Sequence, residues 1–203
     1  MPAAKPRSSP PAAPPKKGQA TAVATAAADE EAGGGGGGLR IVTSAHLVSA
    51  KSPELSEFEF GLIIAAHAFN RWLTRCMSAA GVKDMAPVDV LVLHHTNHRG
   101  SEKRLADICF VLNIEDTHVV SYALKKLMAA GLVSSTKRGK EVFFSTTPKG
   151  LALCADYRTV RESCLMPGFS GTAEENERIG DAARLLRTLS GRYDQAARAA
   201  TSF

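Results

Sequence analysis

Apolar residues recur in steps of three and four at Leu55, Phe58, Leu62, Ala65, Phe69, Trp72, Leu73, Cys76 and Ala80, the spacing of one face of an α-helix. Ser52 followed by Pro53 marks the start, a capping side chain ahead of the residue whose fixed φ suits the first helical position. Gly81 marks the stop. The helix, about 53–80, spans roughly 40 Å at 1.5 Å per residue. Phe60, Ile63, Ile64 and Met77 lie off the stripe and widen the apolar surface. In so small a domain this predicts that a partner chain covers part of the helix.

A second helix runs from Pro87 to about His98, with Val88, Leu91, Val92 and His95 on one side. A third begins near 101–103 and carries Leu105, Ile108, Cys109 and Leu112. Asn113 then caps a fourth, 114–130, with Glu115 and Asp116 in its first turn, where acids complement the helix dipole. Gly131 ends it. Two β-branched and aromatic runs follow, 132–136 and 141–146, around Lys137, Arg138, Gly139 and Lys140, which predicts a hairpin with a basic tip. Thr147 and Pro148 start a fifth helix, about 148–166, with Leu151, Cys154, Tyr157, Arg161 and Cys164 on a stripe. Pro167 and Gly168 stop it. Thr172 and Glu175 form a capping box for a last helix, about 173–199, striped by Ile179, Ala182, Leu186, Leu189, Tyr193 and Ala197. The predicted fold class is mainly α with a small β-hairpin wing: a winged helix-turn-helix between long N- and C-terminal helices.

Composition divides the chain of 203 residues in two. Positions 1–38 hold 6 Pro, 7 Gly and 11 Ala, too few packable side chains for a core, so a disordered tail is expected there. The remainder, 39–203, is enough for one domain. Charge then separates the domain further. The whole chain carries a formal +5, yet 39–98 and 141–203 are each neutral. The stretch 99–140 holds Arg99, Lys103, Arg104, Lys125, Lys126, Lys137, Arg138 and Lys140 against Glu102, Asp107, Glu115 and Asp116, a net +4. A solvated face would account for so modest an excess. Its confinement to the helix-turn-helix and wing is also the footprint of a nucleic-acid surface.

The fourth helix has two faces. At about 100° per residue, Val120, Ala123, Leu124 and Leu127 fall together, and the core should take them. Opposite lie His118, Tyr122 and Lys125, with Ser121 on the flank and Thr117 in the first turn, hydrogen-bonding side chains of different reach suited to base edges and phosphates in a major groove. Lys103, Arg104, Lys137, Arg138 and Lys140 would serve the wing and the DNA backbone. The competing reading is an interaction module that grips a protein with the same helices, which an exposed apolar patch would favour.

The run Leu124-Lys125-Lys126-Leu127-Met128-Ala129-Ala130-Gly131-Leu132-Val133, the basic hairpin and Ser145-Thr146-Thr147-Pro148-Lys149-Gly150 resemble the MarR family of winged helix-turn-helix transcription regulators. The phrases at 52–60 and 104–113 resemble its LdtR-type branch. What the resemblance implies is a homodimer joined by its first and last two helices. Such a dimer binds a pseudo-palindromic operator in double-stranded DNA and is often released by a small-molecule effector. It also implies a ligand pocket between the long helix and the second one, which His67, Arg71, His94 and His95 would border. Two departures stand out. Lys137-Arg138-Gly139-Lys140 replaces the family's frequent Asp-Arg-Arg wing motif, which predicts phosphate contacts without deep minor-groove insertion. Ser134, Ser135 and Thr136 lack the Arg often found in the first wing strand.

Other chemistry is sparse. His94 and His98 have the spacing of a helical metal pair, but no further ligands stand nearby in sequence, so no metal is expected. Cys76, Cys109, Cys154 and Cys164 are far apart, each in an apolar helical pattern, and read as reduced core thiols rather than a disulfide framework. Neither an apolar leader nor a run of about 18 to 20 apolar residues occurs, so a cytoplasmic protein without a membrane partner is expected. No hydrolase, nucleotide or metalloprotease motif is present. The expectation is a regulator with no cofactor, not an enzyme.

Overall fold

The computed structural model describes residues 48–203; the Pro/Ala/Gly-rich segment 1–38 and positions 39–47 lie outside the described residues. Helix α1 (Pro53–Ala79) opens on Pro53 with Ser52 at the cap position, although the Ser52 hydroxyl makes no capping bond. Only the end of α1 enters the core, through Leu73, Cys76 and Met77, while every residue from 61 to 71 is exposed. Helix α2 (Pro87–Asn97) passes through the middle, burying Val90, Val92, Leu93 and Thr96. Its start is tied by Asp89, whose Oδ2 accepts from the Ala86 N–H at 2.8 Å.

Two boundaries differ from the expectation. Lys103 and Arg104 form a short strand, β1 (Lys103–Arg104), opposite Phe144 and Phe143, so α3 (Leu105–Leu112) begins later than 101–103. Nor does Asn113 cap the next helix. It sits in the left-handed region at φ 52, ψ 45 and terminates α3, a conformation that Asn tolerates better than most residues. Helix α4 (Thr117–Ala129) is instead capped by Asp116, whose Oδ1 accepts from the His118 N–H at 2.9 Å. The two acids assigned to its first turn thus lie before the helix.

Strands β2 (Val133–Arg138) and β3 (Glu141–Thr146) pair from Val133 opposite Thr146 to Arg138 opposite Glu141. The sheet order is β1-β3-β2, antiparallel throughout. The turn is only Gly139 and Lys140, with Gly139 at φ 61, where glycine is at ease. Helix α5 (Pro148–Cys164) starts on Thr147, whose Oγ1 accepts from the Gly150 N–H at 3.1 Å. Gly150 is pressed against the base of the wing. A Cβ there would lie 2.2 Å from the Leu132 carbonyl oxygen and 2.7 Å from Thr146 Cγ2.

After a turn at Met166–Gly168, α6 (Ala173–Ala200) runs 28 residues without burying one. Half of the expected Thr172 and Glu175 capping box is formed: the Glu175 N–H donates to Thr172 Oγ1 at 3.2 Å, but the Glu175 carboxylate accepts from the Gly171 N–H at 2.9 Å and from the Ser170 hydroxyl at 2.7 Å in place of the Thr172 N–H. Tyr193 donates to Glu59 Oε1 at 3.0 Å, and Asn113 to Asp194 Oδ1 at 3.3 Å, tying α6 to α1 and to the end of α3. Among the described residues no helix is long and apolar enough to cross a membrane.

Candidate nucleic-acid interface

Val120, Ala123, Leu124 and Leu127 are buried, each 0 or 1% exposed, so the inner face of α4 is fully used by packing against α2 and α3. Thr117, His118, Tyr122 and Lys125 are exposed and Ser121 half-buried. Tyr122, at 72% exposure, points its ring into solvent. An aromatic phenol held out on the polar face of a well-packed helix has no core role. It can stack on or hydrogen-bond to a partner that covers the helix.

The wing is less bare than its composition suggests. Arg138 makes a two-pronged pair with Glu102, at 2.8 and 2.9 Å, and its guanidinium lies 5.2 Å from the centroid of the Phe143 ring. Arg104 bonds Asp107 at 3.0 and 3.1 Å and Glu141 at 3.1 Å. The hydrogen bonds to Asp107 and then Glu141 push the Arg104 pKa up, and the same guanidinium holds the Asp107 carboxyl below its ordinary range. Lys103 donates to the carbonyl oxygens of His98 and Ser101, each at 3.0 Å, and to the Ser101 hydroxyl. Of the basic candidates, Lys103, Lys125, Lys137 and Lys140 engage no carboxylate among the described residues, Lys103 donating to carbonyl and hydroxyl oxygens instead. Within the stretch that carries the net +4, Arg104 and Arg138 are thus fastened to acids, Lys103 is tied to its own loop, and Lys125, Lys137 and Lys140 are uncommitted. These pairs are exposed, and such pairs are typically worth about 0–1 kcal/mol, so a phosphate can displace the carboxylate from Arg138.

The charge pattern along the chain includes Glu102 and Asp107 but not which cation each one holds. Glu102 and Glu141 come near the arginines only once β1 joins the sheet, and a two-residue strand leaves no periodic trace. A further pair went unseen on the inner side of α4: Lys126 donates to Asp89 Oδ2 at 2.7 Å and to the Asp84 carbonyl.

A cavity of about 450 Å³ lies between α1, α2 and α5, lined among others by Phe69, Trp72, His94, Tyr157, Arg158 and Arg161. It takes in His94 but not His67, Arg71 or His95. His67 and Arg71 are exposed on α1. The His94 ring meets Tyr157 edge-on at 4.4 Å, and its buried Nε2 has no partner among the described residues. Burial holds the His94 pKa below the ordinary histidine value, and burial pushes the Tyr157 phenol up to about 12. The cysteines divide. Cys76, Cys109 and Cys154 are buried and free, with burial raising each pKa and taking Cys154 to about 11. Cys164 is exposed instead of packed, because α5 has left the core by that turn.

A helix pair with its second member bare on the polar side, followed by a two-stranded wing and a third short strand at the sheet edge, defines one architecture. The fold is a winged helix. Residues 85–150 match the family described as the winged helix DNA-binding domain. No curated protein matches the sequence. Among solved structures, AbfR of Staphylococcus epidermidis is similar at 17% identity, TM-score 0.58, over 71% of this chain and 96% of that one. A MarR transcriptional regulator from Methanosarcina mazei is similar at 15% identity, TM-score 0.55, over 67% and 91%. A MarR-family regulator from Rhodococcus is similar at 13% identity, TM-score 0.54, over 65% and 93%. At such identities the likeness is one of fold. It extends beyond the winged helix segment, since 65 to 71% of the chain is covered.

Proposed function

We propose that this protein is a homodimeric, sequence-specific regulator of transcription of the MarR type, acting on a pseudo-palindromic operator in the cytoplasm. The observation that carries the reading is the division of α4. One face is sealed by four core residues, and the other holds His118, Tyr122 and Lys125 free, beside a wing whose Lys137 and Lys140 are uncommitted. Thr117 and Ser121 extend the base-reading face. Arg138, Arg104 and Lys103 serve the DNA backbone, the arginines after exchanging carboxylate for phosphate. The phrases at 52–60 and 104–113 support the LdtR-type branch.

What is left uncovered supports the dimer. Ile63, Ile64 and Phe69 on α1 and Ile179, Leu185 and Leu186 on α6 are 43 to 55% exposed, an apolar surface of the kind that marks an interface. A second copy, related by a two-fold axis, would cover these arms and set two recognition helices about one helical turn of DNA apart. The cavity beside His94, with aromatic walls and the guanidinium groups of Arg158 and Arg161, suits an aromatic carboxylate as effector.

The test is a fluorescence anisotropy titration on duplex DNA at several salt concentrations. If each protomer neutralises about four phosphates, log K should fall against log salt with a slope of roughly −7. A slope near zero would sink the proposal. The protein-docking alternative draws on Phe110 and Val111 of α3, 85% and 60% exposed. It gains if DNA binding is absent and Phe110→Ser abolishes capture of a protein partner.

A further inference from the structure

Lys126 adjoins Lys125 in sequence but does not share its face. Its ammonium is drawn inward, 2.7 Å from Asp89 Oδ2. Asp89 is 2% exposed, and the same oxygen accepts the Ala86 N–H at 2.8 Å at the start of α2. A second bond goes from Lys126 to the carbonyl of Asp84, a residue held at φ 62. One side chain of α4 is thus bolted to both the first turn of α2 and the loop before it.

The core-facing contacts of α4 are apolar: Val120, Ala123, Leu124 and Leu127. Apolar packing drives association but tolerates small rotations and slides, because its energy scales with area and not direction. An ion pair on a buried carboxylate, here Asp89 held by a half-buried Lys126, does the reverse. It adds little net stability relative to apolar residues of similar volume, yet selects one register. From this contrast we propose that Lys126 and Asp89 are positioning residues. Together they fix the rotation of α4 about its axis, and so determine which base edges His118, Tyr122 and Lys125 meet, without Lys126 touching DNA. This rests on the DNA-binding reading and deepens it.

The test compares wild type with Lys126→Met, which keeps length and apolar packing, and with Asp89→Asn. A pool of randomised duplexes selected on wild-type protein supplies a preferred duplex, and a scrambled duplex of the same composition supplies the background. Lys126→Met should lower the ratio of preferred to scrambled affinity about tenfold, the scale of one misplaced base contact, at an unchanged salt slope and with the helical circular dichroism retained. Asp89→Asn should do the same, and the double variant should be no worse than either single change, since the pair is broken only once. An unchanged ratio in Lys126→Met overturns the inference. So does an equal weakening on both duplexes with a salt slope shallower by about one per protomer, which would make Lys126 a phosphate contact. A wild-type protein that prefers no duplex in the pool fails at an earlier point and overturns the DNA reading itself.

Discussion

Leu73, Cys76 and Met77 near the end of α1 are sealed in the core, whereas Ile63 and Ile64, about three turns earlier on the same helix, are more than half exposed. The same division recurs at the other end of the domain. Helix α5 buries Gly150, Leu153, Cys154 and Tyr157 and nothing beyond Tyr157, and α6 buries nothing at all. The winged helix body closes on itself. The arms, built with the same apolar periodicity, do not. Apolar spacing therefore reports that a surface will be covered, but not whether the cover belongs to the same chain. A body that is complete and arms that are incomplete fit the proposed dimer, in which each body would read DNA and the arms would cover one another.

The largest effect should come from the arms. Ile64→Asp combined with Leu186→Asp places a carboxylate on α1 and another on α6, where burial of each side chain would be worth about 1.5–3 kcal/mol, counted twice by symmetry. Sedimentation should show monomers at concentrations where wild type is dimeric, with the helical signal of the body largely kept. If the wild-type protein itself sediments as a monomer, the arms are not an interface and the contrast with the body needs another cause.

Next in size is Gly150→Ala in the body. The added Cβ would meet the Leu132 carbonyl at 2.2 Å, a backbone atom that cannot swing aside, and overpacking of this kind costs about 1–3 kcal/mol. Urea denaturation should show a lower midpoint by the same margin at every protein concentration. The arm variant differs here: its loss should fade as the wild-type reference is diluted into monomers. A Gly150→Ala protein as stable as wild type would show that the base of the wing is looser than its geometry.

These two variants also mark where sequence was legible. Pro53 and Pro87 open their helices through the fixed φ of proline and Thr147 and Thr172 through side-chain caps, all of them local preferences that the sequence states directly. The inner face of α4 follows from spacing alone. The start of α4 did not, since Asn113 and Asp116 are both good cap residues and only the left-handed turn at Asn113 decides between them. The wing's ion pairs, the Lys126 pair and the cavity lining escaped for one reason. The Arg138–Glu102, Arg104–Glu141 and Lys126–Asp89 pairs join residues 36 or 37 positions apart, and the cavity draws on three different helices. Charge counting along the chain cannot see a partner across the fold.

A smaller effect sharpens the view of the wing. Glu102→Gln frees Arg138 from its carboxylate. If that acid competes with phosphate, affinity should rise two- to fivefold on every duplex tested, in keeping with the roughly 0–1 kcal/mol of an exposed pair, and preference among duplexes should stay as it was. Anisotropy on preferred and scrambled duplexes measures both. A fall in affinity would mean that Glu102 holds the wing in its binding geometry, so that the pair assists and does not compete.

The smallest predicted change lies where body and arms meet, at His94. Burial lowers its pKa in the folded protein, while the unfolded chain titrates near the ordinary value of about 6.5. Above that pH both states are neutral and the residue contributes no pH dependence. As pH falls below it, the unfolded state takes up a proton that the folded state refuses, so stability declines until the folded pKa is reached and then levels off. Replacing His94 with Phe keeps an aromatic ring against Tyr157 and removes the titration, so the decline between pH 7 and pH 5 should be shallower in His94→Phe than in wild type. Parallel curves would mean that the imidazole finds a proton acceptor on opening of the cavity. In that case the cavity belongs with the yielding arms and not with the closed body.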